Sequence, residues 1–280
     1  VLTLARDSLE RGADVTLRQL GAESAVEDWA AALVGVDVVI HLAAIAHQGP
    51  EPGLEALTPI NVHWPVRLLT AAARAGVRDF VFLSSIKVFG DRSARPFRVE
   101  DPYRPADIYG ESKVHAEQAL RAAQADNPSI RLAIVRPPLV YGPGVTANFR
   151  ALLQWATRGA RGLPLPFGAA QAPRSLVSVQ NLAEGVIASL GHQGIFHCAD
   201  PGDLSVAEIF RLLGVPRWRL VPVPPAVMRL LLEWSGHPAY FQRLYEPLQL
   251  DTRASNDALG WAPRHPSSAC LALTLQWWRQ

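Results

Sequence analysis

The run Val36-Asp37-Val38-Val39-Ile40-His41-Leu42 carries β-branched and apolar residues on both alternations of a strand. A strand with one wet face alternates polar and apolar; one covered on both faces does not. Phe80-Val81-Phe82-Leu83 and the segment Ile130–Arg136 read the same way. Strands of this kind belong in a parallel sheet, and parallel neighbours need crossovers long enough to hold a helix. The crossovers are present. Ser24–Val34 sets Val26, Trp29, Ala30 and Leu33 on one helical face, Pro59–Ala75 runs helical up to Gly76, and Ala106–Ala125 is a third helical stretch. With strands at Val1–Ala5, Asp14–Leu17 and Asp79–Ser84, the pattern predicts an α/β fold with a doubly wound parallel sheet.

Beyond Pro143 proline and glycine become frequent, as in Gly162-Leu163-Pro164-Leu165-Pro166-Phe167-Gly168. Ser175–Val179 and Ile195–Cys198 read as short strands around a helix at Asn181–Leu190. The remainder to Gln280 reads as a smaller, mixed lobe. A net charge of +2 without a basic run is too near neutral to argue for nucleic acid or an anionic membrane as partner. Two cysteines, Cys198 and Cys270, suggest neither a disulfide framework nor a zinc site, so a reducing, cytoplasmic compartment is expected. The apolar stretches are too short or too broken by proline for membrane insertion.

In open parallel sheets, ligands bind where strands end. His41-Leu42-Ala43-Ala44 ends one strand, Ser84-Ser85 the next and Arg136-Pro137-Pro138 a third, so these ends should border one crevice. Tyr109 and Lys113 stand four residues apart, about one helical turn, on the helix between them. A cation beside the phenol favours phenolate, so a lowered Tyr109 pKa and a proton-shuttle role are expected. Ser85 could share the same substrate oxygen. His41 and His47 lack ligand-spaced carboxylates or thiols, and read as packing or loop residues rather than metal ligands.

Ser84-Ser85-Ile86-Lys87-Val88-Phe89-Gly90, Tyr109-Gly-Glu-Ser-Lys113 and Arg136-Pro-Pro-Leu-Val-Tyr-Gly-Pro-Gly144, in this order, resemble the extended short-chain dehydrogenase/reductase family. Within it they resemble the NAD-dependent epimerase/dehydratase members, in particular bacterial UDP-sugar 4-epimerases and 4-ketoreductases of surface-polysaccharide synthesis. The resemblance implies a Rossmann-type sheet, a nicotinamide cofactor, a UDP-sugar substrate and a homodimer. It makes Tyr109 the acid–base, Lys113 its modulator and a ligand of the nicotinamide ribose, and Ser85 the holder of the sugar oxygen. Leu42, Ala43, Ala44, Asn61, Ser84 and Pro137 join Tyr109 and Lys113 in the cofactor pocket. Asn61 reads equally as a first-turn helix asparagine. Asn148 and Arg174 match residues that meet the diphosphate, Leu165 lies in the loop along the uracil, and Arg243 is a second phosphate contact or a surface arginine. Lys87 stands where dehydratases carry part of an acidic pair, so 4,6-dehydration is not expected and Lys87 either faces the substrate or is a solvated loop residue.

The family's glycine-rich fingerprint does not occur in the sequence. The expectation is that a first strand, phosphate turn and helix of roughly 25–30 residues precede Val1. Residues 1–142, with 175–198 returning to them, would then be an incomplete dinucleotide-binding domain, and 143–174 with 199–280 the nucleotide-sugar lobe. Arg6 suits the 2′-phosphate of NADP, Asp7 keeps NAD open, and Gln19 stands where relatives often carry an aspartate near the adenine. Oxidation or reduction at C4 of a UDP-sugar is the leading reading. A non-catalytic nucleotide-sensing or scaffold protein, or a reductase of a non-sugar substrate, is the alternative.

Overall fold

The computed structural model describes residues 2–3, 16–17, 25–46, 53–145, 147–158 and 164–280. Two short strands, β1 (Leu2–Thr3) and β2 (Thr16–Leu17), pair in parallel. They are followed by α1 (Val26–Ala32), β3 (Val38–His41), α2 (Leu54–Thr58), α3 (Trp64–Arg74) and β4 (Asp79–Leu83). Next come α4 (Ile108–Ala125), β5 (Arg131–Arg136), β6 (Leu139–Tyr141), α5 (Ala147–Arg158), β7 (Leu176–Ser178), α6 (Val179–Ala188) and β8 (Gly194–His197). The last part is helical: α7 (Val206–Leu212), α8 (Pro225–Trp234), α9 (Ala239–Tyr245), α10 (Arg253–Leu259) and α11 (Ser267–Trp278).

β3, β4, β5 and β8 form one parallel sheet in that order, with Val39 opposite Phe80 and Phe80 opposite Leu132. Strand alternation decides what each face meets. Phe80, Phe82, Leu132 and Ile134 join Trp29, Leu68, Leu69, Ala116 and Leu120, so α1, α3 and α4 cover one side. Val81, Ala133 and Val135 join Leu182 and Val186 of α6 on the other. Each valine, leucine, isoleucine and phenylalanine among them contributes about 1.5–3 kcal/mol on burial. The expected doubly wound sheet is therefore observed.

A separate core gathers Tyr141, Phe149, Leu153, Phe167, Phe210 and Leu271 from β6, α5, the loop before β7, α7 and α11. β6 was not foreseen, because two prolines precede it and Gly142 follows it directly. It pairs with β7, so the strand near Ser175–Val179 stands beside the main sheet, and β8 alone returns the chain to it.

Candidate active site

The carboxyl end of β4 begins the site. Leu83 is the last strand residue; Ser84 and Ser85 follow it, and Ser85 caps a single 3-10 turn, Ile86–Phe89. The Ser85 hydroxyl accepts from the backbone N–H of Lys87 at 3.2 Å. Helix α4 approaches this turn closely. Its cap is Asp107, whose Oδ1 accepts from the Gly110 N–H at 2.7 Å. A Cβ at position 110 would stand 2.6 Å from the Lys87 carbonyl oxygen, so only glycine allows the contact. The approach brings the Tyr109 hydroxyl into hydrogen bonding with Ser85.

Lys113 follows one turn later and is 2% exposed. Its ammonium donates to the Leu83 carbonyl at 2.8 Å, and lies 4.5 Å from the Phe82 ring centroid and 5.9 Å from that of Tyr109. Ser85, Tyr109 and Lys113 are thus assembled as expected.

Their proton affinities differ from expectation. Burial first, and then the Asp107 carboxylate, push the Tyr109 phenol up to about 12, against a smaller lowering by the Ser85 hydrogen bond. Burial likewise brings Lys113 down to about 8, with Glu117 acting in the opposite direction. The expected depression of the phenol is overturned for the protein alone. Desolvation disfavours both charged forms and outweighs proximity.

One turn beyond Lys113, Glu117 is fully buried. It accepts from Ser84 Oγ at 2.5 Å, from the Tyr103 hydroxyl at 2.8 Å, and from Arg136 Nη2 at 2.6 Å and Nε at 3.0 Å. Arg136 also donates to the Val99 carbonyl at 2.9 Å. This network ties α4 to the ends of β4 and β5 one turn beyond Lys113, and it turns the Ser84 hydroxyl toward α4. Sequence reasoning missed Glu117 and Tyr103. The signal for Glu117 was the continuing four-residue spacing from Tyr109 through Lys113.

Asn61 is 1% exposed and sits in a wide turn, Pro59–His63, where the Trp64 N–H reaches back to the Pro59 carbonyl. Pro65 has no N–H to give to the Asn61 carbonyl, which accounts for the widened turn. The Asn61 amide holds both backbone groups of Ile45, accepting at 2.8 Å and donating at 3.0 Å, and donates to Ser112 Oγ at 3.0 Å. It therefore locks the loop after β3 to α4 and is not a helix cap. That loop offers an apolar ledge: Leu42 is 60% exposed, Ala43 is exposed and Ala44 half-buried. His41 beneath it is packed against Phe82 with ring centroids 5.9 Å apart, and burial, then the Lys113 charge, hold its imidazole down at about 4. Pro137 is buried, and its carbonyl accepts from the Ile86 N–H at 2.8 Å.

The remaining predicted residues make other contacts. Lys87 bridges the carboxylates of Asp91 and Asp107, the latter at 2.9 Å. Arg174 donates to the carbonyls of Glu246 at 2.6 Å and Gln242 at 3.3 Å. Burial lowers its guanidinium to about 10, and Asp91, Arg243 and Glu246 are the charges it feels. Arg174 and Arg243 thus neighbour one another. Leu165 packs against the core of the second region and pairs with Leu220. Arg6, Asp7, Gln19 and His47, and the side chain of Asn148, lie outside the described residues.

The model of the NAD dependent epimerase/dehydratase family matches residues 2–199. The chain belongs to this family. It is 37% identical over 284 residues to a UDP-glucose 4-epimerase of Vibrio cholerae, covering 94% of this chain and 85% of the relative. Among solved structures it is similar to UDP-N-acetylglucosamine 4-epimerase from Bacillus cereus, with a TM-score of 0.76, 17% identity and 99% and 87% of the two chains covered. MoeE5 in complex with UDP-glucuronic acid and NAD superposes with a TM-score of 0.74, 21% identity and coverage of 99% and 90%. These two likenesses establish the fold.

Proposed function

We propose that this chain catalyses NAD-dependent epimerisation at C4 of a UDP-sugar. The observation that carries the reading is the hydrogen-bonded Ser85–Tyr109 pair with Lys113 one turn behind, in a chain whose curated relative is a UDP-glucose 4-epimerase. Ser85 holds the C4 oxygen. Tyr109, as phenolate, takes the hydroxyl proton while the C4 hydrogen leaves with its electron pair, giving a 4-keto sugar. The ketone turns over, accepts hydride on its opposite face and recovers the proton from Tyr109.

NAD, when bound, supplies the hydride acceptor and a ring cation that favours the phenolate. Moving a phenol from about 12 to neutral pH takes roughly 7 kcal/mol, which Lys113 does not provide alone. The residues present fit the nicotinamide end of such a cofactor. The exposed Leu42–Ala44 ledge accepts a flat ring system, and Lys113 spends one donor on Leu83 and keeps the others for ribose hydroxyls. Asn61 fixes the ledge, and Pro137 backs the turn that carries Ser85.

Two neighbouring guanidiniums, Arg174 and Arg243, suit a diphosphate, because an anion relieves their mutual repulsion. On this reading residues 1–142 with 175–198 hold the cofactor, and 143–174 with 199–280 hold the sugar nucleotide. The resemblance of the Ser84–Val88, Pro138–Val145 and Arg174–Val177 blocks to surface-polysaccharide enzymes supports a role in precursor synthesis. The test offers UDP-glucose, UDP-N-acetylglucosamine and UDP-glucuronic acid in turn to the protein with NAD. A 4-epimer forming without net change in nicotinamide absorbance is expected. Stoichiometric consumption of reduced nicotinamide by a 4-keto sugar would replace this reading with a reductase.

A further inference from the structure

Helix α8 turns apolar side chains outward. Val227 is 44%, Leu230 67%, Leu231 50% and Trp234 89% exposed. Their spacing of three, four and seven residues places them in one stripe along the helix. Its opposite side is apolar too, since Met228 and Leu232 pack into the core that holds Phe210 and Leu271. The only charged residues in α8 are Arg229 and Glu233. Arg229 is held back, with its guanidinium 4.5 Å from the Phe241 ring centroid of α9. An exposed apolar stripe of this kind costs solubility and marks a docking face.

Two observations select the occupant. The first is charge. Arg217 to Arg243 holds four arginines and one carboxylate; Arg219 is buried, and the other three arginines against Glu233 leave a surplus of two at the surface. Trp218, 69% exposed, follows Arg217, which is exposed as well. Exposed tryptophan and leucine beside arginine suit the boundary between anionic headgroups and acyl chains. The second is size. A stable protein interface engages about 20–30 residues a side, and the stripe offers four. At about 1.5 Å per residue, a ten-residue helix is roughly 15 Å long, half the thickness of a bilayer core. It can lie on a membrane but not span it. Among the described residues no helix is long and apolar enough to cross one.

We propose that α8 docks this protein onto an anionic lipid surface, with Val227, Leu230, Leu231 and Trp234 entering the headgroup boundary. α9 follows directly and ends beside the carbonyls that hold Arg174. Docking therefore presents the Arg174–Arg243 region close to the membrane plane.

The test is vesicle flotation, with phosphatidylcholine alone and with phosphatidylglycerol added. The protein is expected to float with the anionic vesicles and to be released by salt. The variant Leu230→Ser/Leu231→Ser/Trp234→Ser is expected to lose at least about tenfold in vesicle affinity. Its circular dichroism and turnover of soluble UDP-sugar should not change, because none of the three side chains belongs to the catalytic cluster. Equal binding to both vesicle types, or unaltered binding by the variant, would overturn the proposal. So would absence of wild-type binding; a wild-type dimer that the variant converts to monomer would then show that a second copy covers the stripe.

Discussion

Replacing Glu117 by alanine removes the acceptor at the centre of the buried network one turn beyond Lys113. Arg136, 1% exposed, would keep its charge with no carboxylate opposite it. Breaking such a pair from one side costs about 3–5 kcal/mol. The hydroxyls of Ser84 and Tyr103 lose their partner as well. These losses overlap, so about 4 kcal/mol is the expected total, against a usual domain stability of about 5–15 kcal/mol. Urea unfolding followed by circular dichroism measures it. The midpoint should fall sharply at unchanged slope, and Glu117→Leu/Arg136→Met should recover most of the loss. Lys113 would lose the one charge that supports its protonation, so its pKa should fall further below about 8. A Glu117→Ala loss under about 1 kcal/mol would refute the reasoning.

Three further outcomes follow from the geometry. His41 and His197 are buried and held at about 4. The unfolded chain binds protons that the folded one refuses between about 6.5 and 4, so stability should be full above 6.5 and fall by up to roughly 3 kcal/mol per histidine across that window; His41→Phe should flatten the profile. Lys87→Met leaves the Asp107 carboxylate unbridged beside Tyr109, so the kcat profile should move to higher pH while KM for the UDP-sugar changes little; an unmoved profile would show that Lys87 has no influence on the phenol. Gly110→Ala places a methyl group 2.6 Å from the Lys87 carbonyl, so it should cost about 1–3 kcal/mol and reduce kcat by separating Tyr109 from Ser85, measurable by thermal melts and initial rates.

Local information in the sequence was enough for the sheet and for placing Tyr109 and Lys113 one helical turn apart. Phe80–Leu83 and Ile130–Arg136 are apolar on both alternations, and Tyr109 and Lys113 share a face by helical spacing alone. Features that depend on packing were harder to foresee. The Tyr109 pKa depends on how much water the folded chain removes from the phenol, and periodicity does not report that. Glu117 meets Arg136 only because α4 lies over β5. From its place after Ser85, Lys87 reads as facing the substrate or as a solvated loop residue; the two carboxylates it bridges come to it only through the fold. β6 is too short and too closely flanked by proline to signal itself before its pairing with β7 is known.

The central claim is that Tyr109 exchanges the proton at C4. Its most direct test compares the protein with Tyr109→Phe in the presence of NAD, measuring both epimer formation and UDP-sugar affinity. The account predicts a rate loss of about 10²–10⁴-fold with affinity within a few-fold of the original, since Arg174 and Arg243 are untouched. Epimerisation by Tyr109→Phe at the unaltered rate would contradict it.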